Sequence, residues 1–188
     1  MNTPRIALLS EADAKAAAVA GEVPEIVTVL NVNRLLLRHP TGGRNFIRYF
    51  WDLIYEGVLE PRLRELAIMR VAWLTDSVYE WTQHWHIALG AGVPGDDLVA
   101  VRDWESESRF SDTDRAVLAA TDDVVRNGVV TGESWAALEA ALPDAAERIE
   151  IVLAITGWRM VASILETLDV PLEDGFEPWP PDGVGPRP

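Results

Sequence analysis

Apolar residues recur along most of this chain at three- and four-residue spacing, and no stretch alternates in the way a half-buried strand would. The pattern predicts a series of helices with readable ends. Ser10 precedes an alanine-rich stretch that stops at Gly21. Pro24 opens a segment to Arg38, with Ile26, Val29, Leu30, Leu36 and Leu37 at helical spacing, and His39-Pro40 closes it. Thr41 is placed to cap a helix through Phe46, Phe50, Leu53 and Ile54, ended by Gly57. Pro61 suits a first helical position and opens a run to Leu74 that is apolar nearly all round, the mark of a buried helix. Thr75 or Asp76 caps the next helix, from Ser77 to about Ala91. A short helix follows Pro94, and Ser111 with Asp114 makes a capping box for a helix ending at Asn127-Gly128. Thr131 caps another short helix, and a long one runs from Asp144 to Leu168.

The expected fold class is therefore all-α, with about eight or nine helices. Residues 1–170 read as a single helical domain. The segment 171–188 is different: it is proline-rich, contains Pro178-Trp179-Pro180-Pro181, and predicts an extended tail anchored by Trp179. Hydrophobic residues make up 48% of the 188 and charged residues 24%, which is ordinary for a globular chain and excludes disorder of its body.

Charge and cysteine content narrow the chemistry. The net charge of -14 repels phosphate backbones, so no nucleic-acid partner is expected. The acidic excess lies after residue 92, and residues 61–92 are balanced. With no cysteine, disulfides, thiolate metal sites, iron–sulfur clusters and thiol peroxidase chemistry are excluded. Lys15, in a polar segment, is the sole lysine, which argues against Schiff-base chemistry. No glycine-rich phosphate loop, nucleophile elbow or His-Glu-x-x-His motif occurs. Apolar runs are broken by charge before ~18 residues, so no membrane segment is expected, and a cytoplasmic location follows.

Candidate chemistry concentrates between Pro61 and Gly92. On the helix after Ser77, Ser77, Glu80 and His84 share one face, and Glu80 and His84 are separated by about 6 Å along the axis. Ser77 and His84 are about 10.5 Å apart, too far for a nucleophile–base pair. His86 falls on the opposite side, so the two histidines cannot share a metal from a regular helix. Glu65 lies in line with Ile68, Met69 and Ala72 on the buried helix, where a carboxylate is either answered by Arg62, Arg64 or Arg70 or serves as a proton-sharing group. His39, at a helix C-terminus, and His86 read as structural, and Asp96-Asp97 and Asp122-Asp123 as solvated surface.

Arg62-Leu63-Arg64-Glu65-Leu66, followed by Ser77-x-x-Glu80-x-x-x-His84 and Gly90-Ala91-Gly92-Val93, resembles the carboxymuconolactone decarboxylase / alkylhydroperoxidase D-like family. Leu36-Leu37-Arg38-His39-Pro40 and Trp135-x-x-Leu138 extend the resemblance over most of residues 25–170. Peroxidase members carry cysteines where this chain has Ser77 and Glu80. The resemblance implies an all-helical subunit assembling as a homotrimer or hexamer, with no metal or organic cofactor. On this basis Glu65, His84 and Glu80 are the candidate catalytic residues. Glu65 and His84 would exchange the proton, and Glu80 would hold the imidazole. Ser77 would donate to an anionic oxygen of a small-molecule substrate, and Tyr79, Trp81 and Trp85 would form its wall. Two functions remain open. One is a cofactor-independent decarboxylase, isomerase or hydrolase acting on a small lactone or carbonyl compound. The other is a non-catalytic oligomeric scaffold or apolar small-molecule binding protein.

Overall fold

A computed structural model describes residues 3–186. Among these residues the chain is all-helical: α1 (Glu11–Ala20), α2 (Asn31–Leu36), α3 (Pro40–Tyr55), α4 (Pro61–Thr75), α5 (Val78–Gly90), α6 (Gly95–Ala100), α7 (Asp112–Asn127), α8 (Gly132–Ala141) and α9 (Ala145–Leu168). Two 3-10 helices, Glu25–Val29 and Val101–Ser106, complete the order. The chain folds into two compact units, one of residues 1–57 with 164–176, the other of residues 58–163 with 177–188.

In the first unit Ser10 caps α1 by accepting from the Asp13 amide. Ala18, Val23, Val27, Leu37 and Ile47 form its core. The expected helix from Pro24 to Arg38 is instead a 3-10 turn and a short α2, joined at Leu30, whose backbone is extended. His39 does not close that segment through a helix dipole. It is the N-cap of α3, where its Nδ1 accepts from the Gly42 amide at 3.0 Å and Pro40 occupies the first turn. Proline fits a helix start as well as a stop, which is why the sequence pattern placed this histidine at the wrong end. Gly43 is needed here for close approach, because a Cβ would overlap the Leu36 carbonyl. Gly43→Ala is expected to cost about 1–3 kcal/mol by forcing α2 from α3. Gly132→Ala, with nothing within 4 Å of the new methyl, should be neutral or slightly stabilising; paired thermal melts check both.

In the second unit α4 is the central helix, packed against α5 and α7. Every residue from Leu63 to Ala72 is buried, as its all-round apolar pattern predicts. Leu66, Met69, Ala72, Trp81, Trp85, Leu98, Val101, Trp104 and Leu118 share one core. Two arginines on α4 are answered by acids. Arg70 pairs with Asp122 on α7 at 2.6 and 2.9 Å and donates to the Val101 and Arg102 carbonyls. Asp122 is therefore a buried ion-pair partner, not solvated surface, and Trp104 and Arg126 also reach it. Asp97 likewise pairs with Arg62 at 2.7 Å. The α7 capping box forms as expected, with Ser111 and Asp114 bonded reciprocally.

The helix α9 is long and apolar enough to cross a membrane by length and composition, with a window of mean hydropathy 1.5. Ile151, Ala154, Ile155, Trp158 and Ala162 are nevertheless buried within the protein. That is the pattern of a core helix interrupted by Arg159 on its exposed side.

Residues 177–186 are non-helical and fold onto α4 and α5. The Trp179 ring lies 6.1 Å from Trp73 and 5.9 Å from Trp81. Its amide donates to Thr82 Oγ1, and the Trp81 indole donates to the Pro180 carbonyl at 2.7 Å. The Arg102 guanidinium sits over both Trp73 and Trp81, at 5.0 and 4.8 Å, and holds Asp182 with two bonds of 2.8 and 3.0 Å. Gly185 closes the loop against the Trp179 ring, where a Cβ would come within 2.9 Å. The Arg102 guanidinium, bonded to Asp182, lowers that carboxyl to about 2. A depressed carboxyl contributes stability above its unfolded value, near 3.9, and loses it as pH falls through the folded one. The clasp is therefore expected to loosen between about pH 4 and 2, read as a change in tryptophan emission. That step should be absent in Asp182→Asn.

Candidate functional site

The buried helix α4 brings Glu65 against α5, and the carboxylate meets His84 there. His84 Nδ1 lies 2.8 Å from Glu65 Oε2, and Arg64 Nε donates to Glu65 Oε1 at 3.1 Å. The second imidazole nitrogen is also engaged: the Trp158 indole N–H on α9 donates to His84 Nε2 at 2.7 Å. Glu65 is fully buried and His84 is 6% exposed.

These contacts assign the protons. An indole nitrogen is only a donor, so His84 Nε2 must present its lone pair. The Nδ1 proton then points to Glu65, which accepts on both oxygens and so is the carboxylate. The result is a neutral, oriented imidazole in a chain of four groups: Arg64 to Glu65, Glu65 to His84, His84 to Trp158. The arrangement has the logic of a carboxylate–histidine dyad, in which the acid fixes the tautomer and stabilises the imidazolium once it forms.

The residues singled out in the sequence fall into two groups. Glu65 and His84 come together across two helices. Glu80 is on α5 and 2% exposed, one turn before His84. It does not hold the imidazole as the i,i+4 spacing suggested, because Glu65 and Trp158 occupy both ring nitrogens. Ser77 is the N-cap of α5 and fully buried, but its hydroxyl makes no capping bond and has no protein partner. Asp76, one of the two residues expected to cap α5, instead ends α4 in the left-handed region, with φ 56°. Tyr79 is buried, and Trp81 and Trp85 lie in the core cluster, Trp81 with Trp73 and Trp179. His86 is exposed on the far side of α5. Trp158 and Arg64 complete the site. Arg64 was one of three candidates for answering Glu65; Trp158 had no signal beyond its place on the apolar face of the last helix. Among the described residues no group of three or more His, Cys, Asp or Glu is arranged to hold a metal ion.

Residues 40–123, which span α4, α5 and most of α7, match the carboxymuconolactone decarboxylase family. That match covers less than half of the 188 residues, and the fold of the chain is shared by several solved structures. A peroxidase-related protein of Ralstonia eutropha JMP134, described as an alkylhydroperoxidase AhpD core, is 16% identical and superposes with a TM-score of 0.72 over 98% of this chain and 99% of its own. A peroxidase-related protein of Silicibacter sp. TM1040 is 13% identical, with a TM-score of 0.74 over 94% and 92%. The debrominase Bmp8, solved in complex with 2,3,4-tribromopyrrole, is 17% identical, with a TM-score of 0.75 over 93% and 94%. At these identities the likeness is one of fold. Among curated proteins none matches this sequence.

Proposed function

We propose that this protein is a cofactor-independent acid/base enzyme acting on a small lactone or carbonyl compound. The observation that carries the reading is the buried Glu65–His84 bond of 2.8 Å, with the imidazole neutral and its Nε2 lone pair directed away from the carboxylate. His84 would act first as base. Nε2 takes a proton from a carbon or water acid, the electron pair of the broken bond stays on the ligand, and Glu65 stabilises the imidazolium. Returning that proton to a second carbon completes an isomerisation; activating a water opens a lactone. A decarboxylation needs the imidazolium, because the carbanion left by carbon dioxide takes up a proton. A neutral resting histidine therefore favours isomerase or hydrolase chemistry. The Ser77 hydroxyl, buried with no protein partner, is the available donor to a developing oxyanion. The fold neighbour described as a debrominase supports non-peroxidase chemistry on this scaffold.

The burial of the dyad favours the second reading, a protein that binds a small apolar molecule or serves as a scaffold without turnover. A screen of lactones and β-keto acids separates the two. Under the enzyme reading one compound is consumed, and His84→Ala lowers the rate by about 10²–10⁴. Under the other reading no compound is turned over, and His84→Ala changes only stability. The reading includes assembly as a trimer or hexamer, supported by the exposed Ile149, Leu153 and Met160 on α9 and measured by native mass spectrometry.

A further inference from the structure

His84 is expected to meet a ligand through Nε2, because Nδ1 is committed to Glu65. Yet Nε2 already accepts from the Trp158 indole at 2.7 Å, with the two rings at 84° and their centroids 5.4 Å apart. The indole is 3% exposed and comes from α9, seventy-four residues further along the chain. Its N–H is bonded to that ring nitrogen. A tryptophan that only filled space would leave the Nε2 lone pair to a water or to nothing. Here the one donor of the side chain is used on the one acceptor atom of the imidazole.

We infer that Trp158 is a positioning residue of the Glu65–His84 site, and that its indole N–H holds the place of the proton-bearing group of the ligand. This rests on the acid/base reading above. It narrows the ligand to compounds that bring a donor, an acidic C–H or an enol or water O–H, to Nε2. A compound offering acceptors alone has nothing to exchange for the indole. It also makes displacement of the Trp158–His84 bond a step that precedes proton transfer. Departure of the indole breaks one N–H to N bond, and arrival of the ligand replaces it with another of the same sense, so the proton inventory of the dyad is unchanged until chemistry begins.

The test is NMR of the imidazole and indole nitrogens in the full-length protein. In the wild type a coupling across the hydrogen bond should link Trp158 Nε1 to His84 Nε2, with His84 protonated at Nδ1 alone. In Trp158→Phe the Nε2 resonance should move while the Nδ1 proton stays on its bond to Glu65. In Trp158→Ala, added indole should restore the wild-type Nε2 resonance, and benzofuran, which has the same shape without the N–H, should not. Acetylacetone, a donor through its enol and its acidic carbon, should abolish the wild-type coupling, and tetrahydrofuran, a cyclic ether that offers an acceptor oxygen and no acidic C–H, should not at the same concentration. The inference is overturned if the coupling is absent, if Trp158→Phe leaves Nε2 unmoved, if benzofuran rescues as well as indole, or if the two small probes act alike. Should Trp158→Ala fail to fold, Trp158→Phe and the wild-type probe experiment still decide. Absence of turnover with the coupling and rescue intact would sink the enzyme reading and leave the positioning role. A His84-dependent turnover whose KM and kcat are both untouched by Trp158→Phe would do the reverse.

Discussion

Asp122→Ala is expected to destabilise the protein by about 3–5 kcal/mol, because it strands the Arg70 guanidinium in the core. Arg70 and Asp122 side chains are 7% and 6% exposed, and their two bonds join α4 to α7. Removing the acid leaves Arg70 with only the Val101 and Arg102 carbonyls, which satisfy its donors without neutralising its charge. For a chain of this size that loss lowers the melting temperature by roughly 6–20 °C. The pair itself is worth far less than its disruption, since both ions were taken from water to form it. The double replacement Arg70→Met with Asp122→Leu should therefore recover most of the stability. A thermal melt of the two single variants and the double variant decides the matter: equal and additive losses would contradict the account.

The second large effect is expected at Glu65. Glu65→Ala removes the acceptor for both Arg64 and His84 and should cost about 3–5 kcal/mol for the same reason. Glu65→Gln is the more informative change, because the amide keeps the shape and one acceptor oxygen. That oxygen can serve Arg64 or His84 but not both, and the amide nitrogen can only donate. The imidazole then loses either its tautomer or its counter-charge. Under the acid/base reading, Glu65→Gln should reduce turnover by about 10²–10⁴, as removal of a general base or its orienting carboxylate does. Stability should fall less than in Glu65→Ala. Turnover in the screen that survives Glu65→Gln unchanged would remove the dyad from the mechanism.

Most helix ends were legible because capping is local. Ser10, Pro61, Ser111 with Asp114, Gly128 and Thr131 each mark a terminus within a few residues of its physical cause. What failed lies between elements. Intrahelical spacing showed Glu80 near His84, and no periodicity could show that Glu65 from the neighbouring helix would take the same nitrogen first. Asp122 looked solvated because its partner is fifty-two residues away. Trp158 sits on an apolar stripe where any large side chain would satisfy the pattern, so its N–H carried no sequence signal. Glu65 itself was visible because a carboxylate among Ile68, Met69 and Ala72 violates the stripe, and such violations demand a partner.

The three indoles gathered by the C-terminal clasp lie with ring centroids 5.5 to 6.1 Å apart and tilted against one another. Chromophores so close share their excited states. The three rings together should therefore give a pair of bands of opposite sign in the ultraviolet circular dichroism, with a part that depends on Trp179. Removal of residues 177–186 leaves the Trp73–Trp81 pair alone and should weaken and reshape that doublet, giving an optical reporter of whether this segment is seated that needs no label.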